Sequence, residues 1–420
     1  MSEDEVTLSN IDATERLRSS YDAVIVGARC AGAATAMLLA RGGLDVLVVE
    51  QGTPGADTLS TLALMRAGVL QLSRWGLLDA IRSGGTPPIK ITTFHYGTDA
   101  IEVPIKPRDG VDALYAPRRT LLDPLLAESA ALAGAQLAYR VRLKDLLRDA
   151  GGRVNGVLVE SGGRTRRIGA TIVIGADGLT STVAKAVGAE SRRIGAHMAG
   201  VIYTRARGYA ADGYHWHYTP GASVGVVPTT GGETLVFAAT TRERFLRELR
   251  FDLAAGFRTI VREAAPSVHA ALGASILSPY RGFAGHAACL RRAWGPGWAL
   301  VGDAGYFKDP ITAHGITDAL RDAESLARAV LQGTDAALDE YETVRDDLSD
   351  GLFTITDEIA SFAWDMPRLQ ALHKSLSEEM SREVRYVTSG WAGRMNVSDP
   401  GPTQQRFRSR ALPSSGLPFA

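Results

Sequence analysis

The chain has 420 residues, of which 45% are hydrophobic, and its 46 basic and 46 acidic side chains give a formal net charge of zero. This balance gives no electrostatic basis for binding nucleic acid or an anionic membrane surface, and neither partner is expected. The two cysteines, Cys30 and Cys289, are far apart in the chain and have no paired spacing. A disulfide framework and a metal site are therefore not expected.

The N-terminal segment is acidic, with Glu3, Asp4 and Glu5 where a signal peptide would need positive charge. No apolar run approaches the roughly eighteen residues that a membrane-spanning helix requires. We therefore expect a cytoplasmic protein without a membrane span, a monomer or a homodimer, that acts on a small molecule.

A βαβ unit is predicted near the start of the chain. Residues 21–26 form a short apolar run, rich in β-branched side chains, that is typical of a buried parallel strand. Residues 31–41 have helical composition and end at Gly42-Gly43, and residues 45–50 predict a second buried strand. Strand, helix and strand follow one another within about thirty residues, as such a unit requires.

The later segments predict a mixed architecture. Helices are predicted at 62–81, 118–133, 242–272 and 337–385, and another is expected to end near residue 331. Apolar strands are predicted at 168–174 and 298–301, a hairpin at 89–105, and an antiparallel sheet over 197–241. The fold class expected is thus α/β, with a dinucleotide-binding (Rossmann-like) domain interleaved with an antiparallel β-sheet domain and followed by a C-terminal helical extension.

The domain boundaries follow from this order of segments. The dinucleotide-binding domain is expected to comprise residues 21–84, 116–190 and 285–335, and the β-rich domain residues 85–115 and 191–284. Residues 1–20 are expected to form a flexible tail. Residues 336–420 are expected to form a helical region followed by a tail rich in Pro, Ser and Arg.

The turn between the first strand and helix carries a glycine motif, Gly27-Ala28-Arg29-Cys30-Ala31-Gly32. Its first glycine allows a tight turn, and its last lets the helix approach the sheet and direct free amides at a diphosphate. Arg29 replaces the usual second glycine, and Cys30 is expected to be a small packed residue. Glu50 ends the second strand, where an acid binds a ribose and repels a 2′-phosphate, so FAD or NAD fits and NADP does not.

Three further segments favour FAD over NAD. Gly175-Ala176-Asp177-Gly178-Leu179-Thr180-Ser181 follows a strand, Val301-Gly302-Asp303-Ala304-Gly305 precedes Pro310 and Gly315, and Arg119 precedes Leu122 and Leu126. In this order and spacing, residues 20–335 resemble the FAD-dependent monooxygenases of the aromatic-hydroxylase type. More distantly, the chain resembles the flavin halogenases and the geranylgeranyl reductases.

The resemblance implies roles for individual residues. The interleaved domains would bind FAD and substrate, respectively. Asp303 would hydrogen-bond the ribityl chain, while Arg119 and Asp177 would lie at the cofactor. The helix opening near Gly315 would direct its positive end at the flavin ring. The remaining residues implied in cofactor binding are Gly178, Gly302 and Ile316.

The resemblance also implies the chemistry. NAD(P)H would reduce FAD, O2 would add at the flavin C4a position, and the resulting hydroperoxide would deliver one oxygen atom to a flat or apolar small molecule. His314 and Pro310, which lie beside the flavin-proximal glycine, are the candidate catalytic residues. His314 is equally well explained as an ordinary loop histidine.

A substrate surface is predicted on the β-rich segment. Strand alternation places Tyr214, Trp216 and Tyr218 on one face, and Pro228 follows on the next strand. These residues would line an apolar pocket, or they are packed rings of the sheet. No catalytic metal is expected here.

Three other functions remain open. A flavin-dependent halogenase would need a lysine lining a tunnel from the flavin, and Lys90 is the only lysine near a plausible place. A geranylgeranyl-type double-bond reductase is favoured by Tyr214-x-Trp216 and by Asp309-Pro310-Ile311-Thr312. The last alternative is a flavoprotein without catalytic activity.

Overall fold

The computed structural model describes residues 17–273, 275 and 278–389. The predicted N-terminal tail up to residue 16 and the tail from Ser398 lie outside the described residues. The first half of the chain contains β1 (Ser20–Val26), α1 (Cys30–Arg41), β2 (Val46–Glu50), α2 (Arg66–Arg74), α3 (Leu78–Ser83), β3 (Ile91–Tyr96), β4 (Asp99–Pro104), α4 (Arg119–Leu132), β5 (Gln136–Tyr139), β6 (Arg142–Arg148), β7 (Val154–Ser161), β8 (Arg164–Gly175) and α5 (Thr182–Ala186).

The second half begins with the strands of an antiparallel region and ends with long helices. Its elements are β9 (Ser191–Ile194), β10 (Ala199–Arg207), β11 (Tyr214–Thr219), β12 (Ala222–Thr229), β13 (Glu233–Thr241), α6 (Arg242–Arg244), α7 (Leu253–Ala264), α8 (Pro266–Leu272), β14 (Arg281–Phe283), β15 (Cys289–Arg291), β16 (Trp294–Gly295), β17 (Trp298–Leu300), β18 (Tyr306–Phe307), α9 (Gly315–Gln332), α10 (Asp335–Ala360) and α11 (Met366–Ser389).

Two large sheets organise these elements. In the eight-stranded sheet, β17, β8, β1, β2 and β5 lie side by side and are parallel. The seven-stranded sheet has the order β14-β10-β13-β12-β11-β3-β4 and is antiparallel, except that β11 and β3 are parallel. The predicted α/β fold class is confirmed.

Two predicted helices are divided in the structure. The helix expected over 62–81 begins only at Arg66, because Leu62 has a φ of 62°, and it is broken again at Gly76, whose φ is 79°. The helix expected over 242–272 is interrupted before Asp252, which caps α7, and again before Pro266, which begins α8. These local turns could not be inferred from the spacing of apolar residues.

The C-terminal helices cover the aromatic face of the seven-stranded sheet. His373 of α11 lies against Tyr218, with 4.7 Å between the ring centroids, and its Nδ1 is 2.7 Å from the Tyr96 hydroxyl. Trp364 contacts the edge of the same Tyr218 ring. This packing buries Tyr218 and joins the C-terminal region to the β-rich half. Within the described residues, no helix is long and apolar enough to cross a membrane.

α11 is also held by charged groups inside the protein. Glu383 accepts a hydrogen bond from Arg321 of α9 at 3.0 Å, and both side chains are 1% exposed. Burial by itself would raise the pKa of Glu383, but His314, Arg321 and Lys308 lower it to about 2. The carboxylate is therefore charged and compensates buried cations between α9 and α11.

Glu383→Gln should lower the free energy of unfolding by about 3 kcal/mol, because the buried Arg321 loses one of its charged acceptors while it keeps Asp318 and Asp322. The matched control is Glu378→Gln, an exposed change on the same helix, which should alter stability by less than about 0.5 kcal/mol. Urea unfolding of both variants measures the difference. Equal stability of the two variants would contradict this account of how α11 is held.

Candidate functional site

A cavity of about 560 Å³ lies where the carboxyl ends of parallel strands meet two helix N-termini. Val26 of β1 and Glu50 of β2 reach it from the sheet, together with Ala176 directly after β8. The first residues of α1 and α9 line it from the helix side. Free amides in the first turn of a helix carry partial positive charge, so this end of the sheet can bind an anionic group.

The turn from β1 to α1 allows no side chain at its glycines. A Cβ on Gly27, whose φ is 107°, would lie 2.4 Å from the Ala176 carbonyl oxygen. A Cβ on Gly32 would lie 1.9 Å from the Gly27 carbonyl oxygen, and one on Gly302 would lie 2.7 Å from the Ala31 Cβ. The backbone segments thus approach as closely as the binding of a dinucleotide requires.

Two carboxylates stabilise the loops around this turn. Glu50 accepts hydrogen bonds from the amides of Ala28, at 3.0 Å, and Gly52, at 2.7 Å. Asp177 accepts hydrogen bonds from the Thr182 amide at 2.6 Å and from the Ser181 hydroxyl, so it stabilises the start of α5. Both acids therefore have structural partners while they also line the cavity.

Cationic side chains lie on the same wall. Arg119 forms a paired hydrogen bond to Asp123, at 2.8 and 2.9 Å, and the Cys30 thiol donates to the same carboxylate at 3.0 Å. Burial raises the pKa of Cys30 well above its usual range, so the residue is a packed, protonated thiol. Arg29 lies at the rim, where its guanidinium donates to the Thr58 hydroxyl at 2.7 Å.

Asp303 faces the cavity from the opposite side. Its carboxylate has no hydrogen-bond partner among the described residues. Asp303 is exposed to the open cavity, but the protein atoms around it raise the pKa of its carboxyl by desolvation, and the cations of Arg119, Lys308 and Arg291 oppose that rise. An acceptor of this kind fits a ligand that brings its own hydroxyl donors.

Lys308 connects the cavity to a buried charge network. Its ammonium group contacts Asp318 and lies 3.4 Å from His314 Nδ1. Arg321 donates to Asp318 at 3.2 Å, and His314 Nε2 is 3.0 Å from Glu383. All five side chains are at most 4% exposed. Burial, assisted by Arg321, lowers the pKa of Lys308 to about 7.

Most of the residues predicted to bind the cofactor meet at this one cavity. Those that line it are Gly27, Arg29, Cys30, Ala31, Glu50, Arg119, Asp177, Gly178, Asp303, Gly315 and Ile316, and Pro310 lies beside them. The cavity lining does not include Ala28, Gly32 or Gly302, which lie in the same turns.

The proposed catalytic histidine and substrate residues are placed elsewhere. The His314 side chain lies behind Lys308, enclosed by the charge network, and does not line the cavity. Trp216 packs against Phe237, which packs against Tyr203, with ring centroids 5.9 and 6.0 Å apart. The aromatic residue of this row that lines the cavity is Tyr203 of β10, and β13 and β12 lie between that strand and β11. The residues of the predicted surface that do not line this cavity are Tyr214, Trp216, Tyr218 and Pro228.

Several cavity residues escaped the sequence analysis. Lys308 is not among the predicted site residues, although it lies between Asp303 and Pro310 in the cofactor segment, and the lysine considered for a halogenase was Lys90. Lys90 is half-exposed and paired with Asp112, and it does not line the cavity. Tyr203 and Phe283 lie on β10 and β14, and only the pairing of distant strands brings them to the cavity.

These features define an α/β dinucleotide-binding oxidoreductase with a second, antiparallel sheet beside the cofactor cavity. The chain belongs to the FAD-binding family whose model is described as "FAD binding domain", which matches residues 20–354. The protein is thus a member of a family of FAD-dependent oxidoreductases.

The chain is similar in sequence or in fold to several named flavin-dependent enzymes. The chain is 28% identical over 342 residues to the menaquinone reductase of Mycolicibacterium smegmatis, an alignment covering 76% of this chain and 78% of that one. PqsL, described as a probable FAD-dependent monooxygenase from Pseudomonas aeruginosa, is 21% identical in sequence and superimposes with a TM-score of 0.72 over 84% of this chain and all of that chain. A triple mutant of the flavin-dependent brominase Bmp2 superimposes with a TM-score of 0.76 at 17% sequence identity. The superposition covers 92% of this chain and 97% of that chain. The two structures show the shared fold.

Lys308→Met should flatten the pH dependence of stability between about pH 7 and pH 10.5. The folded-state pKa of about 7 lies below the ordinary value of 10.5, so in that window the unfolded chain binds more protons and stability rises with pH. The Met variant lacks this rise. Lys90→Met, at a half-exposed lysine, should keep the slope of the parent. Urea unfolding at several pH values measures the change of stability with pH. Parallel curves of stability against pH for the parent and Lys308→Met would contradict the buried placement of Lys308.

Proposed function

We propose that this protein is an NAD(P)H-dependent monooxygenase that uses FAD and O2 to insert one oxygen atom into a flat or apolar small molecule. The observation that carries the proposal is the composition of the cavity at the carboxyl ends of the parallel strands. Its lining combines the glycine turn and Glu50 with three aromatic side chains, Tyr203, Phe283 and Phe307. A cofactor and an aromatic-lined space for a substrate therefore adjoin.

The residues present fit FAD. The amides at the start of α1 and the Arg29 guanidinium would bind the diphosphate, and Glu50 would bind the ribose. The Asp303 carboxylate would accept hydrogen bonds from the ribityl chain. The amides of Gly315 and Ile316, at the start of α9, would stabilise negative charge on the ring. When bound, FAD supplies the redox chemistry, and the protein orients the substrate and excludes water.

The buried network gives His314 and Pro310 indirect roles in this proposal. Pro310 contributes a rigid edge of the cavity, and His314 positions Lys308 through Asp318. Lys308 would hold or release a proton beside the cofactor, because its pKa of about 7 lies near neutral pH.

A double-bond reductase is the second candidate. The observation that favours it is the 28% identity to a menaquinone reductase over most of both chains. Such an enzyme would transfer hydride and a proton to a polyprenyl or quinone substrate and would not consume O2. A halogenase would make a product that depends on chloride or bromide. A non-catalytic flavoprotein would show no substrate-stimulated oxidation of NAD(P)H.

Assays under oxygen-18 gas separate these functions. A panel of flat and apolar compounds is screened for faster NAD(P)H oxidation, and products are identified by mass. If the protein is a monooxygenase, the product should carry one oxygen atom from the labelled gas, and O2 should be consumed in proportion to the product formed. Reduced products formed equally well without O2 would overturn the monooxygenase in favour of the reductase, and halide-dependent products would favour the halogenase.

Asp303→Ala should weaken FAD binding by about 1–3 kcal/mol, the scale of a lost hydrogen bond to a charged acceptor. The reason is that the carboxylate faces the cavity without another partner among the described residues. Asp99→Ala, at the exposed tip of the β3–β4 hairpin, is the matched loss of a carboxylate and should leave FAD affinity unchanged. Titration of flavin-free protein with FAD measures both. Equal affinities in folded variants would show that Asp303 does not contact the cofactor.

A further inference from the structure

Three histidines meet on the face of the seven-stranded sheet that points away from the cofactor cavity. His215 and His217 of β11 alternate with the inward aromatic residues of that strand. Their register partners on β12 are Val226 and Val224, which belong to the apolar cluster beneath α7. His95 of the neighbouring strand β3 completes the group. We call His95, His215 and His217 the histidine cluster.

The geometry of the histidine cluster brings nitrogen atoms together. His95 and His217 are direct partners in the parallel register, and their rings stack with centroids 4.0 Å apart and 3° between planes. His95 Nε2 is 3.1 Å from His215 Nδ1. One nitrogen from each ring lies within 4.8 Å of the others. One nitrogen of each ring is therefore near enough to the others for a single ion to bind all three, once the stacked rings of His95 and His217 rotate so that their in-plane lone pairs meet.

Asp212 determines which nitrogen of His215 is available. Its carboxylate lies 2.7 Å from His215 Nε2, so this nitrogen carries the proton and donates it to the acid. The lone pair is then on Nδ1, where it accepts a hydrogen bond from His95 Nε2 at 3.1 Å, and a bound metal ion would displace that proton and take its place. A carboxylate that holds the outer nitrogen of a histidine, while the inner nitrogen faces a cluster, is the usual arrangement around metal-binding histidines.

We propose that the histidine cluster binds a divalent late transition-metal ion through its three imidazole nitrogens, and that this ion is Zn²⁺. Imidazole suits zinc, copper and nickel, whereas Mg²⁺ and Ca²⁺ require sets of oxygen ligands. Zinc–nitrogen bonds of about 2.0–2.1 Å in a tetrahedral site separate neighbouring nitrogens by roughly 3.3 Å. The 3.1 Å between His95 and His215 is close to that separation. A water molecule would complete the coordination.

The position of the site indicates a structural role. Tyr203 and Phe283 line the cofactor cavity from the other face of the sheet, so the metal would not enter the redox chemistry. It would join β3 to β11, whose histidines are 120 residues apart and lie in the sheet's parallel strand pair. β4, the next strand, is an exposed edge. A ligand that binds only the folded chain stabilises it in proportion to the logarithm of its concentration over its dissociation constant.

Titration of tag-free protein, freed of metal with a chelator, tests the proposal. Zn²⁺ added in a calorimeter should bind at about one ion per chain and raise the melting temperature, and Mg²⁺ should do neither. His95→Gln and His215→Gln should each abolish this saturable binding. His269→Gln, a change to a half-buried histidine of α8, should leave it intact. Circular dichroism and cofactor content show that each variant is folded.

Asp212→Asn supplies a graded test that keeps all three histidines. Loss of the outer carboxylate should weaken Zn²⁺ binding by about 10–100-fold without abolishing it. Two outcomes overturn the proposal. Absence of saturable Zn²⁺ binding in the parent protein shows that the rings are only a packed neutral stack. Binding that survives in His95→Gln and His215→Gln shows that the ion is held elsewhere.

Discussion

The close approach of backbone segments at Gly27, Gly32 and Gly302 is the constraint on which the site depends. The two Cβ positions at the β1–α1 turn would lie within 2.4 Å of carbonyl oxygens, so a side chain there would push the helix from the sheet. With the helix in contact, its first amides open onto the same cavity that Glu50 and Asp303 face. The position of the cofactor pocket thus follows from the absence of side-chain atoms at a few turns.

The charge network is the second determinant, and it gives the C-terminal region a function in the architecture. Lys308 touches the cavity, Asp318 and Arg321 lie on the helix that begins at it, and Glu383 comes from α11. These buried charges balance one another, so removing one would leave the others buried with less compensating charge, which is unfavourable. α11 therefore packs against α9, the helix that begins at the cavity, and also covers the aromatic face of the second sheet.

The parts of the molecule that could be predicted are those determined locally. The βαβ unit, the glycine turn and Glu50 lie within about thirty residues, where strand and helix periodicity and turn chemistry are informative. The late start of the helix expected over 62–81 depended on the positive φ of Leu62, which apolar spacing does not reveal. Lys308 and Asp318 lie ten residues apart in the cofactor segment, whereas Glu383, which joins the same network through Arg321, is brought there only by tertiary packing. The histidine cluster was missed for the same reason, since His95 lies 120 residues from His215.

The central claim is that this cavity holds FAD without a covalent bond, and the flavin itself tests it most directly. The purified protein is denatured, and the released small molecules are separated and identified. The structure predicts FAD, at about one molecule per chain when the protein has been saturated with it. A protein that retains no flavin after incubation with FAD, or that releases only a nicotinamide dinucleotide, would contradict the account.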